Sequence, residues 1–160
     1  YTAMNAFAQA AVTFTSQNTG AGKPERVRAG IKSATILGFV WSLVAFFLLY
    51  FGGAALVRMI TDSDTFVIGT AVKYLRINVP FYAFLCILCF FRSTLQGLGQ
   101  KIIPVIASVI ELSGKAIIVF VLVPRMGYLA VCICEPILWI LSGILVSVPM
   151  YRFYLTKNVL

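Results

Sequence analysis

Apolar runs recur along the chain between short polar stretches, a pattern that predicts helices at about residues 1–19, 33–57, 67–98, 102–123 and 128–155. At about 1.5 Å of rise per residue, runs of roughly twenty residues cross a bilayer's hydrocarbon core of about 30 Å. The fold class expected is therefore an all-α membrane protein with five transmembrane helices. The run Ile102 to Val123 carries the most information, because Glu111 and Lys115 sit near its middle. A charged residue at a helix centre costs about 2.5–3.5 kcal/mol on insertion, so neither is expected to face lipid. Four residues apart, the two share a face, with the acid N-terminal to the base, the favourable order for an ion pair along a helix. That face is predicted to point into a bundle.

The other runs differ in character. Residues 1–19 are rich in Ala, Thr and Ser, with Asn5 and Gln9 on one polar face. Small and hydroxyl-bearing residues suit contacts inside a membrane, so this helix is expected to face neighbours or a cavity. Pro80 is expected in the first turn of the third helix or at a kink. The stretch Pro124 to Gly127 reads as a tight connection, and the last helix carries Glu135-Pro136 and the small pair Gly143 and Ser147. Gly20-Ala21-Gly22-Lys23 does not meet the phosphate-loop pattern, since Gln17 stands where the first Gly belongs and Pro24 where the hydroxyl belongs.

Charge sets the expected sidedness. Lys23, Arg26, Arg28 and Lys32 are opposed only by Glu25, as in a cytoplasmic loop. Loop 20–32 and the C-terminus are therefore expected in the cytoplasm, with the Asp62-Ser63-Asp64 turn on the opposite side. Arg92, near the inner end of the third helix, is expected to snorkel to headgroups as an anchor. The chain is expected to be a multi-pass protein of the plasma membrane.

Composition agrees with the bilayer as a partner: 61% of residues are hydrophobic, mean hydropathy is +0.97 and 11% are charged, against about 25% in soluble domains. The net charge of +8 is spread between apolar spans and forms no stripe, which argues against nucleic acid and for anionic headgroups. There is no His, and the four Cys lie inside apolar runs. The Cys86/Cys89 pair lacks a second pair or a His, so it reads as small apolar packing, with no metal site and no cofactor expected. Five carboxylates, two of them in one turn, give no set of catalytic groups, and no enzyme is expected. Tyr1 at the start, with no signal-peptide pattern behind it, reads as the beginning of a fragment.

Three segments carry a family resemblance: Gln17-Asn18-x-Gly20-Ala21-Gly22-Lys23-x-Glu25-Arg26; Arg92-Ser93-x-Leu95-Gln96-Gly97-x-Gly99 with Pro104 after it; and Glu135-Pro136-x-x-Trp139. In order and spacing they resemble the multidrug and toxic compound extrusion (MATE) transporters over nearly the whole chain. The resemblance implies two six-helix lobes, of which this chain would hold helices eight to twelve, part of the C-terminal lobe. It implies secondary active efflux of amphipathic or cationic drugs, with sodium or proton as coupling ion, and an N-terminal lobe of the same protein as partner. Gln17, Gly20, Gly22, Arg92, Gly97, Gly99, Pro104 and Pro136 are then structural motif residues. Two departures stand out: the lobe's first helix is absent, and Ile77 to Leu95 has no acidic residue. The cation site of one sodium-coupled branch therefore does not carry over. A flippase of lipid-linked sugars, with a similar lobed architecture, is the alternative.

Glu111, Lys115, Glu135, Asn5 and Gln9 are the candidates for contact with substrate or coupling ion. Lys115 lies about 12 Å inside the end of its helix and Glu135 about 10 Å inside the next, so the two match in depth. Lys115 can thus pair with Glu111, with Glu135 or with both, and the bridge is the expected arrangement. Glu111, nearer the midplane, is the expected ion-responsive carboxylate; the alternative is an ion pair that only fixes helix register.

Overall fold

A glycine in the left-handed region ends each of three helices, and those turns fold the chain into a bundle. The computed structural model describes residues 2–60 and 65–155, and every element among them is helical. In order these are α1 (Thr2–Gly20), α2 (Pro24–Ile60), α3 (Thr65–Asn78), a 3-10 turn (Val79–Phe81), α4 (Tyr82–Gly97), α5 (Ile102–Ile117), a π segment (Ile118–Leu122), α6 (Val123–Met126) and α7 (Tyr128–Leu155). The Asp62 to Asp64 turn and Lys157 lie outside the described residues.

After α1, Gly22 adopts φ 64°. Its amide reaches the Thr19 carbonyl at 3.0 Å while that of Lys23 reaches Asn18 at 2.9 Å, the paired bonds of a Schellman cap. Gly99, with φ 81°, closes α4 in the same way through Gly99 to Gln96 and Gln100 to Leu95. The spacing of Gly22 and Gly99 in their motifs is therefore a stop signal for a helix.

Most of the expected loop 20–32 is helix. Pro24 opens α2 at once, as its fixed φ and missing donor allow at a first helical position, and Glu25 favours the positive end of the helix dipole. The basic cluster rides on the first turns of a 37-residue helix. At about 55 Å, that helix exceeds the hydrocarbon core, and its charged start projects beyond it.

Among the described residues, four helical segments are long and apolar enough to cross a membrane: Pro24–Ile60, Thr65–Gly97, Ile102–Met126 and Tyr128–Phe153. Expected as a fifth span, α1 is not among them, because its Ala, Thr, Asn and Gln dilute its apolar side chains. It packs instead against α4 and α2. Large apolar side chains are exposed in stripes at helical spacing, such as Leu43, Phe47 and Phe51 on α2 and Leu141, Ile144 and Val148 on α7. Such stripes suit a lipid solvent.

The span drawn as one helix over 67–98 bends at Val79–Phe81, around Pro80. Asn78, 1% exposed, secures the bend: its Nδ2 donates to the Tyr74 carbonyl at 3.0 Å and to the Cys132 carbonyl of α7 at 3.1 Å. The second bond has a cause in the sequence, since Pro136 cannot donate to the carbonyl four residues behind it, which is that of Cys132. Asn78 supplies the missing donor. In the same way Pro124 cannot bond the Phe120 carbonyl, and the backbone there widens into the π segment. Pro124 to Met126 is thus helical and not a tight connection; Gly127, with φ 58°, makes the turn.

Helices α2, α4, α5 and α7 share a core of Val27, Ile31, Leu88, Leu95, Ala107, Val146, Met150 and Phe153. Glycines set the closest approaches: Gly38 of α2 lies under Cys86 and Phe90, and Gly114 of α5 under Leu138. The cysteines are free, with Cys86, Cys132 and Cys134 buried.

Candidate functional site

A polar cleft of about 340 Å³ opens between α3, α4, α5 and α7. Each helix presents residues three or four positions apart, which a helix places on one face. These are Tyr74 and Asn78 of α3, Tyr82, Cys89 and Arg92 of α4, Glu111 and Lys115 of α5, and Glu135 and Trp139 of α7. Leu85 and Leu88 complete the lining.

Two ion pairs divide the four charges. Lys115 Nζ lies 2.8 Å from Glu135 Oε1, and Arg92 Nη1 lies 3.4 Å from Glu111 Oε1. Arg92 Nη2 also donates to the Ser108 hydroxyl, which in turn donates to the Pro104 carbonyl at 3.1 Å. The expected bridge of Lys115 to both acids is therefore replaced by one acid for each base. Glu111 and Lys115 do share a face of α5, but α4 flanks one edge of that face and α7 the other. Arg92 is likewise not a headgroup anchor: it turns into the cleft, 24% exposed, toward Glu111.

The remaining cleft surface is aromatic and amide. The rings of Tyr82 and Trp139 meet edge to face at 5.9 Å. Asn78 Oδ1 is buried with no hydrogen-bond partner among the described residues, an open acceptor at the rim of a charged cleft. Sequence reasoning passed over Asn78, Tyr74 and Tyr82, although Pro136 did signal an orphaned carbonyl in need of a donor.

Of the other candidates, Asn5 and Gln9 sit on α1 and do not line the cleft. The Gln9 carbonyl accepts the Thr13 hydroxyl at 3.2 Å. Gln17, Gly20, Gly22 and Gly99 are in or beside the helix-ending turns, with the Gln17 carbonyl accepting the Ala21 amide at 3.0 Å. Gly97 is where α4 meets α1. No group of three His, Cys, Asp or Glu able to hold a metal occurs among the described residues.

The MatE family model matches residues 1–122, from α1 through the π segment. The chain belongs to the MatE family. Neither a curated protein nor a solved structure matches it. Members of the MatE family are transporters, and the apolar helices make this member a multi-pass membrane protein. The matched range includes Arg92, Glu111 and Lys115, whereas Glu135 and Trp139 of α7 lie beyond it. In this MatE chain the charged cleft thus joins the matched helices to α7.

The Lys115–Glu135 pair can be tested for its structural share. Removing one partner of a fully buried pair costs about 3–5 kcal/mol. With Lys115 45% exposed, roughly 1–2 kcal/mol is expected here. Lys115→Met should lower the yield of folded protein, and Lys115→Met combined with Glu135→Gln should restore most of it. Size-exclusion yield at matched expression measures this; equal yields for all variants would mean that the pair adds nothing to stability.

Proposed function

We propose that this chain forms part of the C-terminal lobe of a secondary active efflux transporter of the plasma membrane. It exports amphipathic or cationic compounds in exchange for sodium ions or protons. A second, N-terminal lobe of the same protein supplies the opposite wall of the path, as in transporters built from two repeats. The basic start of α2 and the C-terminus lie on the cytoplasmic side, in keeping with the positive-inside tendency.

The observation that carries this reading is the pair of unequal salt bridges inside a membrane bundle. Ionisable groups at that depth are costly, and their usual use is in ion or substrate pathways. Glu135 is held at 2.8 Å, Glu111 only at 3.4 Å. Arg92 keeps Ser108 as a second acceptor, so a sodium ion or proton arriving at Glu111 can displace the guanidinium without stranding it. Loss of that pair loosens the contact between α4 and α5, and the cleft then changes shape with ion occupancy. A cationic substrate finds carboxylates there and the faces of Tyr82 and Trp139, the surfaces that attract organic cations.

The test uses the full-length gene product in proteoliposomes loaded with a fluorescent amphipathic cation. Imposed sodium or proton gradients should drive its movement against its own gradient, and an ionophore that collapses the effective gradient should stop it. Movement indifferent to both gradients would refute the exchange mechanism.

A further inference from the structure

A second cleft, of about 530 Å³, lies between α2 and α3 at the end of the bundle away from the basic start of α2. Arg58, Lys73 and Arg76 line it, over a floor that includes Ala54, Ile68 and Val72. None of the three cations has an anionic or hydrogen-bonding partner among the described residues. Asp62 and Asp64, which follow Arg58 in the sequence, are outside those residues.

The level of this cleft follows from the two helices. A Cβ placed on Gly53 of α2 would lie 3.3 Å from Leu75 Cδ1 of α3, so these positions face each other. Arg58 is then about 8 Å further toward the end of the span, while Arg76 adjoins Leu75. Arg58 follows the long apolar run of α2, and Arg76 precedes the apolar run that starts at Ile77. Arg76 therefore marks the edge of the hydrocarbon core, and Arg58 lies about 8 Å beyond it, in the headgroup layer.

We propose that this cleft binds the phosphate of an acidic phospholipid, with the acyl chain along the apolar floor. Arg58 and Arg76 offer forked donors suited to phosphate oxygens, and Lys73 adds a mobile point charge. Basic pockets between membrane helices hold acidic headgroups in this way. Free phosphate shares the headgroup chemistry but gains nothing from the floor, so charge over an apolar floor at the membrane edge selects the lipid.

Native mass spectrometry of the full-length protein in detergent tests the assignment. Phosphatidylglycerol should be retained at least about tenfold more than phosphatidylcholine with the same chains. That preference should vanish in Arg58→Gln/Lys73→Gln/Arg76→Gln, weaken but remain in Arg58→Lys/Arg76→Lys, which keeps the charge and loses the forks, and persist in full when Lys23, Arg26 and Lys32 at the other end are changed to Gln. Equal loss from the two glutamine triples would mean diffuse attraction to a basic protein and overturn the site. Equal retention of both lipids, or displacement of phosphatidylglycerol by inorganic phosphate at matched concentration, would overturn the lipid assignment.

Discussion

Glu111→Gln is expected to reduce gradient-driven efflux by about tenfold or more, the largest functional effect of any single change in the cleft. The amide keeps the shape of the side chain and can still accept a hydrogen bond from Arg92, so the bundle should fold. On the proposed exchange mechanism, what it would lose is the carboxylate's exchange between Arg92 and an arriving cation. The 3.4 Å contact is long for a charge-assisted bond, which favours exchange of partner. Glu135, at 2.8 Å from Lys115, is the less exchangeable carboxylate. If Glu111 serves coupling, substrate binding by the detergent-solubilised variant should survive while its dependence on sodium or pH disappears. Efflux at the wild-type rate, at matched expression, would leave Arg92–Glu111 as a register-fixing ion pair and remove Glu111 from the mechanism.

Gly97→Ala is expected to have a large effect on stability. An added Cβ would lie 2.8 Å from Thr15 Cβ, 2.9 Å from Thr15 Cγ2 and 3.0 Å from the Val12 carbonyl oxygen. Two of those three atoms belong to a buried Thr side chain, 1% exposed, and the third is backbone, so the strain cannot be relieved by swinging a flexible side chain. Helix α1 must move off α4. Overpacking of this kind costs about 1–3 kcal/mol, or roughly 2–12 °C in Tm for a chain of this size. Gly52→Ala is the control: nothing lies within 4 Å of the position, and replacing a helical Gly there should be neutral or slightly stabilising. A thermal melt of the two variants in the same detergent decides the matter; equal midpoints would show that α1 is not seated on Gly97.

The sequence determined where the apolar helices run, because a bilayer core accepts only long apolar segments with their backbone bonds satisfied internally. It also determined where three helices stop, since Gly22, Gly99 and Gly127 adopt positive φ at those ends. The motifs around Gly20, Gly97 and Glu135 pointed to the family. The matching depths of Lys115 and Glu135 followed from helix rise and a short connection alone, both of which are local quantities.

Rotation of each helix about its own axis is not local, and only the tertiary structure decided it. Gly38, Gly97 and Gly114 admit neighbouring side chains at particular angles, and those angles carry Arg92 inward to Glu111 in place of outward to headgroups. The same packing gave Lys115 one carboxylate and left the other to α4. Pro136 announced that the Cys132 carbonyl needed a donor, yet any of several polar side chains could have met that need. Asn78 does so because the bend at Pro80 brings it to α7. Hydrophobic period records how much of a helix face avoids water, and in a membrane both lipid and core satisfy that demand. Contacts between helices, summed over all of them at once, select which apolar face turns inward and so which charges meet.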